Sequence, residues 1–396
     1  MSKHPRILVL TLSFGSGHIR AAEAVAREIK VQSPNADVRV LDALKDCRSL
    51  FRLLYVLPYW LMVRHAPGLW RWLFMRRIKQ RSAETAPELA FRFGCPHVFA
   101  LVAAWQPNVI VACEVAACEM AAIAKRRALT SASIISVITD YETEPVWVKS
   151  EVDVYAVADE AVRDELSAWG APVERVVICG IPIEPEFAEQ RDAAERTATQ
   201  RRFNIRDDTP LVLLMGGGMG PTRMDEVAAE LCRYSGRLHL IAITGYDKRA
   251  RRKLEQLRAA QSIAPVSLQV LGWTNEVAAL MRASTLLVTK PGGLSTTEAA
   301  ACALPCVLFD AIPGPELRNA RRLVEAGAGI QTYGTSETSA AVRSLLKDEH
   351  RRLRMAAAAA RLARPAAAFD IALLILQRAG GGAENAKAQA ARRRRA

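Results

Sequence analysis

The stretch LTLSFGSGHIRAA, Leu10–Ala22, decides the fold of the first half of this chain. It completes an apolar run, Ile7–Leu12, with the length and composition of a buried parallel strand. The run passes directly into a turn at Gly15 and Gly17, and a helical pattern follows. A strand, a glycine turn and a helix in this order predict the first unit of an open α/β sheet, in which ligands bind beyond the carboxyl ends of the strands. The run is too short for the apolar region of a signal peptide, so we expect a cytoplasmic protein.

The alternation of β-rich runs and helical patterns continues along the chain and predicts parallel sheets covered by helices on both faces. The length of 396 residues is more than one ordinary domain needs. We therefore expect an α/β protein with two doubly wound, Rossmann-like domains that face each other across a cleft. The predicted divisions are an N-terminal domain 1–187, a polar linker 188–209, a C-terminal domain 210–378 and a disordered basic tail 379–396. The predicted strands are Ile7–Leu12, Val38–Leu41, Val109–Ala112, Ser133–Ile138, Val154–Val157, Val176–Ile178, Leu211–Met215, Leu238–Ile243, Ser267–Val270, Leu286–Val288 and Cys306–Phe309.

The composition limits the partners of the protein. Its formal net charge of +13 indicates an acidic partner, which leaves nucleic acid, anionic lipid and a phosphorylated ligand as candidates. The eight cysteines lack the spacing of zinc ligands, so we interpret them as reduced thiols in the core. The sequence predicts no metal site.

The turn after the first strand carries a candidate catalytic residue, His18. The turn is not a dinucleotide fingerprint, because Arg20 stands where that motif has its third glycine, and it lacks the Gly-Lys-Ser/Thr ending of a P-loop. A histidine in the first turn of a helix favours the neutral imidazole, which can accept a proton. His18 is therefore a candidate general base, and the alternative is a capping or packing role.

Two further glycine turns follow predicted strands of the second half. The first, LLMGGGMGPT at Leu213–Thr222, is either a flexible turn or a place where the backbone approaches a ligand. In the second, the free N–H groups and hydroxyls of a helix start converge on one anionic group, for which a pyrophosphate is suitable. There Glu298 is placed to hold both hydroxyls of a ribose, although a capping box between Ser295 and Glu298 is the alternative. The residues of this third turn are Pro291, Gly292, Gly293, Leu294, Ser295, Thr296 and Thr297.

Residues 48–81 interleave basic and aromatic side chains and contain no acidic residue. The longest uncharged stretch, Leu53–Val63, is shorter than the roughly 20 residues that a membrane span needs. The pattern favours a segment that lies in the headgroup region of an anionic membrane. An amphipathic core helix is one alternative, and binding of single-stranded nucleic acid is another, which the high aliphatic content disfavours. The candidate membrane residues are Arg52, Tyr55, Trp60, Arg64, Trp70, Trp72, Arg76 and Arg77.

An ordered set of motifs resembles the monogalactosyldiacylglycerol synthase and processive diacylglycerol glucosyltransferase group of glycosyltransferase family 28. That group is related to the N-acetylglucosaminyltransferase that makes lipid II. The resemblance implies a GT-B fold, a UDP-sugar donor, a membrane lipid acceptor, inversion at the anomeric carbon, and neither a cofactor nor an essential metal. The motifs are SFGSGHIRAA, VITDYETEPVWV, GIPIEPEF, LLMGGGMG, LGWTNEVAALMRASTLLVTKPGGLSTTEA and PGPELRNA.

The resemblance also implies roles for individual residues. His18 and Asp140 become rival candidates for the catalytic base. Gly15 and Gly17, in the loop that carries the histidine, become candidates for binding the UDP-sugar. The family binds the UDP-sugar at positions that correspond to Gly217 and Gly218 (glycine loop), Trp273 and Thr274 (uracil), Pro291–Thr297 (diphosphate), Glu298 (ribose), and Glu316 and Asn319 (sugar).

Two positions depart from the family pattern. Pro315 stands where the family commonly has glutamine, and Glu144 stands where it often has histidine. We expect a peripheral enzyme on the cytoplasmic face of a membrane that transfers galactose or glucose to diacylglycerol or a related lipid. The alternatives are a non-catalytic protein that binds nucleotide sugar or lipid, and a UDP-sugar epimerase with the same fold.

Overall fold

The computed structural model describes residues 4–80, 86–189, 193–206, 208–217, 222–260 and 265–380. The chain forms two compact units. The first comprises the residues up to Glu184 together with the C-terminal segment from Arg364, and the second comprises Pro185–Ala363.

The first unit contains a parallel six-stranded sheet in the order β2-β1-β3-β4-β5-β6. Its inner strands are apolar and mostly buried, as expected for a parallel sheet covered by helices, whereas the edge strands β2 and β6 are partly exposed. The strands are β1 (Arg6–Thr11), β2 (Asp37–Asp42), β3 (Val109–Ala112), β4 (Ser133–Val137), β5 (Val154–Val157) and β6 (Val176–Ile178). The helices of this part are α1 (Ser16–Gln32), α2 (Ser49–Phe51), α3 (Leu57–His65), α4 (Pro67–Lys79), α5 (Glu88–Gly94), α6 (Pro96–Trp105), α7 (Val115–Arg126) and α8 (Glu160–Ala168), with a π-helical turn at Arg52–Val56.

The second unit contains a second parallel six-stranded sheet, in the order β12-β11-β10-β7-β8-β9. Its strands are β7 (Leu211–Met215), β8 (Leu238–Ile243), β9 (Val266–Leu271), β10 (Leu286–Thr289), β11 (Cys306–Leu308) and β12 (Gly329–Gln331). Its helices are α9 (Pro185–Ala188), α10 (Ala193–Arg202), α11 (Met224–Cys232), α12 (Lys248–Ala259), α13 (Val277–Ala283), α14 (Gly293–Ala301), α15 (Pro315–Glu325), α16 (Thr335–Lys347) and α17 (Glu349–Leu362).

Each sheet has one point at which the strand order reverses, and ligands bind at such points in open α/β sheets. In the first unit the reversal lies between β1 and β3, and in the second it lies between β7 and β10. The predicted catalytic turn follows β1. The predicted glycine and diphosphate turns follow β7 and β10, so these two turns are neighbours at one edge of the sheet.

The last described helix, α18 (Ala367–Arg378), lies in the first unit, whereas the sequence placed it in the C-terminal domain. Ile371 and Ile375 are fully buried in the core that Val25 and Ile29 of α1 share with β1. Apolar periodicity predicts such a helix but does not say which sheet it covers. Of the predicted tail, residues 381–396 lie outside the described residues.

The predicted linker 188–209 belongs to the second unit and contains α10. The guanidinium of Arg282 forms an ion pair with Glu195 of this helix and donates a hydrogen bond to the carbonyl of Glu186. Burial of Arg282 against these partners ties the stretch to α13. The polar composition that indicated a linker is the solvent-facing composition of a surface helix.

Candidate active site

The carboxyl ends of three adjacent strands in the first unit bring together the polar residues of the candidate catalytic site. His18 lies in the first turn of α1, which follows β1, and Glu114 follows β3. Thr139 and Asp140 follow β4. Because these strands are parallel neighbours, their carboxyl ends meet at the same edge, and the site lies at the reversal of strand order.

His18 is oriented by a hydrogen bond between its Nδ1 and the hydroxyl of Thr139, at 2.9 Å. The tautomer decides which of the two groups donates. Within the described residues this is the one hydrogen bond of the imidazole ring, so Nε2 is left to bind a substrate hydroxyl. Thr139 directly precedes Asp140, so the two candidate bases lie at the same edge of the sheet.

Two buried carboxyl groups face this site. Glu114 is the N-cap of α7 and accepts hydrogen bonds from the backbone N–H groups of Ala116 (2.7 Å) and Ala117 (3.2 Å). Burial raises the pKa of the Glu114 carboxyl, and the charge of His18 opposes that shift. The sequence had assigned Glu114 no role.

The second carboxyl group, Glu144, forms an ion pair with Arg77 of α4. Burial raises the pKa of Glu144, Arg77 opposes this shift, and the charge of Asp140 adds to it. The carboxylate that departs from the family pattern at this position thus has a charge partner, which the segment 48–80 supplies.

Removal of Arg77 is expected to destabilise the protein. R77M leaves a buried carboxylate without its main charge partner, and we expect a loss of about 2 kcal/mol in the free energy of unfolding. In R77M/E144Q the loss is expected to be smaller than in R77M, because no buried charge is left unpaired. Denaturant unfolding of the four proteins of this double-mutant cycle measures the coupling, and additive effects would contradict it.

The segment 48–80 also packs against the catalytic turn. The ring of Phe14 makes edge-to-face contacts with Tyr55 (5.7 Å between centroids) and Tyr59 (5.4 Å). Tyr59 in turn contacts Trp70 at 5.0 Å. Since Phe14 lies four residues before His18, the segment packs against the turn that carries the candidate base.

Some aromatic side chains of this segment therefore pack inside the unit, and others are exposed on its surface. Tyr55 stacks on Phe51 at 4.9 Å, and the Arg52 guanidinium donates to the carbonyl of Leu44. Of the predicted membrane residues, Tyr55, Trp60, Trp70 and Arg77 are directed at least partly into the unit, whereas Arg52, Arg64, Trp72 and Arg76 are exposed. The largest exposed apolar side chains of the segment are Leu50, Leu53, Leu54, Leu57, Leu61, Leu69, Trp72 and Met75.

In the second unit, helix α14 begins at the carboxyl end of β10 without a side-chain cap. Gly292 is the N-cap and has extended backbone angles. Ser295 therefore lies inside the first turn, and the capping box proposed for Ser295 and Glu298 is wrong. The first N–H groups of the helix are left for another acceptor, which is the arrangement that binds anions.

The three hydroxyl groups near the start of α14 differ in their hydrogen-bond partners. Thr296 donates to the carbonyls of Gly292 (2.9 Å) and Gly293 (3.0 Å), and Thr297 donates to Gly293 (2.8 Å). These two hydroxyls thus stabilise the turn by donating to its carbonyl groups. The hydroxyl of Ser295 has no hydrogen-bond partner within the described residues. Leu294 and Glu298 are buried.

The turn before α14 is held from α15. Asn319 is fully buried, and its amide donates to the carbonyl of Pro291 at 3.0 Å. Glu316 accepts from the N–H of Ile312 (2.6 Å) and lies 3.5 Å from the ammonium of the buried Lys290. These contacts give Asn319 and Glu316 a positioning function beside the sugar contacts predicted for them. The sequence analysis assigned no role to Lys290. Its position directly before Pro-Gly-Gly was the signal that could have indicated one.

The neighbouring glycine turn follows β7. Gly217 has a φ of +78°, a left-handed conformation that favours glycine, and no heavy atom of a described residue would lie within 4 Å of a Cβ built there. Among the described residues, the turn is therefore open at this point. Gly218 lies outside the described residues.

Two exposed aromatic rings stack at the carboxyl ends of β8 and β9. Tyr246 and Trp273 lie 4.7 Å apart with an angle of 13° between their planes. Trp273 was predicted to cover a uracil, and Tyr246 was not predicted. The hydroxyl of Thr274 accepts a hydrogen bond from the N–H of Glu276 (3.1 Å), so Thr274 shapes the turn after Trp273.

Loss of the Trp273 ring is expected to weaken the binding of UDP. Stacking of a base on an aromatic ring contributes about 1–3 kcal/mol, so W273A is expected to raise the Kd for UDP by roughly tenfold or more. Calorimetric titration with UDP measures the effect. The matched control is Y333A, which removes another exposed ring of the same unit. Equal losses in both variants would contradict the assignment.

Two family models match the chain, one in each unit. Residues 18–183 match "Monogalactosyldiacylglycerol (MGDG) synthase", and residues 197–362 match "Glycosyl transferases group 1". The chain is a glycosyltransferase. A processive diacylglycerol beta-glucosyltransferase from Bacillus mycoides (strain KBAB4) is 26% identical to the glycosyltransferase over 382 residues, which cover 95% of this chain and 94% of that protein.

Solved structures show that the glycosyltransferase has the GT-B fold. MurG from Acinetobacter baumannii has a TM-score of 0.59 and 16% identity, and the match covers 94% of this chain and 99% of that one. HepE from Anabaena, solved with UDP and glucose, has a TM-score of 0.57 and 15% identity, with 94% and 100% covered. The predicted fold class and family resemblance are confirmed.

Proposed function

We propose that this glycosyltransferase transfers a hexose from a UDP-sugar to diacylglycerol at the surface of an anionic membrane, with inversion at the anomeric carbon. The contact of the segment 48–80 with the turn that carries His18 is the observation that carries the proposal. A segment with exposed leucines and arginines adjoins the candidate base, so a lipid hydroxyl that enters from a membrane would meet that base first.

The donor half of the proposal rests on the second unit. The uncapped start of α14 and the open turn at Gly217 offer backbone N–H groups to a diphosphate, and fixed donors of this kind stabilise the negative charge of a leaving UDP. The exposed pair Tyr246 and Trp273 offers a stacking surface for the base. These groups supply the stabilisation that a metal supplies elsewhere, and we propose a reaction without a cofactor or an essential metal.

The chemistry assigned to the first unit is a single displacement. Nε2 of His18 accepts the proton of the lipid hydroxyl as its oxygen forms a bond to the anomeric carbon. The bond from that carbon to the diphosphate breaks on the opposite face, and UDP leaves with the electron pair. Thr139 holds the imidazole in place, and Asp140 is the rival base.

The acceptor half of the proposal rests on the surface of the segment 48–80. Leu54 and Trp72 are 68% and 56% exposed, and the exposed residues Arg64, Arg71 and Arg76 lie among such side chains. Within the described residues, no helix has the length and apolar character that crossing a membrane requires. This combination is typical of a segment that lies in the headgroup region, where apolar burial and attraction of arginines to anionic lipid act together.

Removal of the exposed apolar side chains is expected to weaken membrane binding. L54S/W72S is expected to lower the partition coefficient on anionic vesicles about tenfold or more, because serine buries much less apolar surface in the membrane than leucine or tryptophan. Sedimentation with phosphatidylglycerol vesicles measures it. The control L353S changes a residue of similar exposure in the second unit. If L353S lowers binding as much as the double variant, the segment is not the membrane surface.

The function is tested by incubating the protein with labelled UDP-glucose or UDP-galactose and anionic vesicles with and without diacylglycerol. Label that becomes soluble in lipid only when diacylglycerol is present supports the proposal and identifies the hexose. Isomerised free UDP-sugar would indicate an epimerase. Binding of UDP-sugar without turnover would indicate a non-catalytic protein, and both of these outcomes would overturn the proposal.

A further inference from the structure

A pocket in the second unit lies between the end of α15, strand β12 and helix α17. Its volume is about 440 Å³. Its apolar lining comes from Val324, Ile330, Met355 and Ala358. None of the residues of the proposed reaction lines it.

Three arginines of α17 line this pocket: Arg351, Arg354 and Arg361. Their spacing of three and seven residues places them on one face of the helix. No hydrogen bond or ion pair joins any of their guanidinium groups to a described residue, and no acidic residue is among those that line the pocket. By contrast, the guanidinium of the buried Arg282 in this unit has a carboxylate partner, Glu195.

Unpaired guanidinium groups around a pocket indicate an anionic ligand. A guanidinium presents donors in a planar fork that fits two oxygens of a phosphate group. Three guanidiniums offer more donors than one carboxylate can accept. The apolar lining indicates that the ligand also has a carbon skeleton.

We propose that this pocket binds a phosphate ester, with the phosphate on Arg351, Arg354 and Arg361 and the carbon portion against Ile330 and Met355. The site is distinct from the proposed donor turns after β7 and β10. Two sources share this chemistry, namely a small soluble phosphate ester and the phosphate headgroup of an amphiphile.

The test uses the full chain saturated with UDP and two probes, glycerol 3-phosphate for the soluble source and dodecyl phosphate for the amphiphile. Calorimetric titration compares the wild type with R351Q/R354Q and R361Q. We expect affinity for one probe to fall at least about tenfold for each arginine removed, because each loses a charge-assisted hydrogen bond. The double variant R252Q/R258Q, which removes the same charge from exposed positions of α12, is the control.

Loss confined to glycerol 3-phosphate supports the site with a soluble ligand, and loss confined to dodecyl phosphate supports it with an amphiphile. Equal affinities of the pocket variants and the control for both probes would overturn the proposal. A crystal soaked in tungstate gives an independent readout, since the anomalous signal of this phosphate analogue is expected beside the three guanidiniums. None of these results depends on hexose transfer, so the failure of one proposal is distinguishable from that of the other.

Discussion

Replacement of His18 by alanine is expected to lower turnover about a hundredfold or more while UDP affinity stays nearly unchanged. The imidazole is oriented by Thr139 in the first unit, whereas the groups proposed to hold UDP lie in the second. Loss of the base therefore removes proton transfer without removing donor contacts. Steady-state rates with UDP-sugar and diacylglycerol vesicles, together with UDP titration, measure the two quantities.

Two variants sharpen this test. T139V removes the hydrogen bond to Nδ1 but keeps the imidazole, so its loss of turnover is expected to be less than about tenfold. D140N examines the rival base. If H18A keeps its turnover while D140N loses it, the assignments of the two residues are reversed.

The second large effect is expected at Gly292, the N-cap of α14. A Cβ built at this position meets no heavy atom of the described residues within 4 Å, and the backbone angles of −66° and 144° suit any residue. Valine in G292V therefore fits the protein, but its methyl groups occupy the space in front of the free N–H groups. We expect the Kd for UDP to rise about a hundredfold or more, because a diphosphate loses several charge-assisted hydrogen bonds.

The matched control is G334V. Gly334 is also the N-cap of a helix, α16, with extended backbone and no heavy atom within 4 Å of a built Cβ. Both variants are expected to keep the unfolding temperature of the wild type within a few degrees. Unchanged UDP affinity in G292V would contradict the assignment of this helix start to the diphosphate.

Much of the fold could be predicted from the sequence because buried parallel strands are short, apolar and bounded by turns. Strand β7, for example, has the bounds that its apolar run predicts. Strand β12 was missed, since three residues beginning with Gly329 form no β-rich run and pair with β11 only in the folded sheet.

The candidate site was predicted in part. Each glycine turn was found because it follows a strand directly, and His18 because it follows such a turn. Glu114, Lys290 and Tyr246 were not assigned roles, because their importance depends on neighbours that are distant in sequence, such as Glu316 for Lys290. Contacts of this kind leave at most a weak local signal, such as the position of Lys290 directly before Pro-Gly-Gly.

The sequence by itself determined that the chain forms two parallel sheets and that glycine turns stand at the ends of particular strands, because periodicity and turn chemistry are local properties. Only the tertiary structure decided which side chains meet. It assigned α18 to the first unit, gave Glu144 a guanidinium partner, and placed the rings of Tyr55 and Tyr59 against the turn of His18. The physical reason is that burial and charge pairing act between residues that the strand order, not the spacing along the chain, brings together.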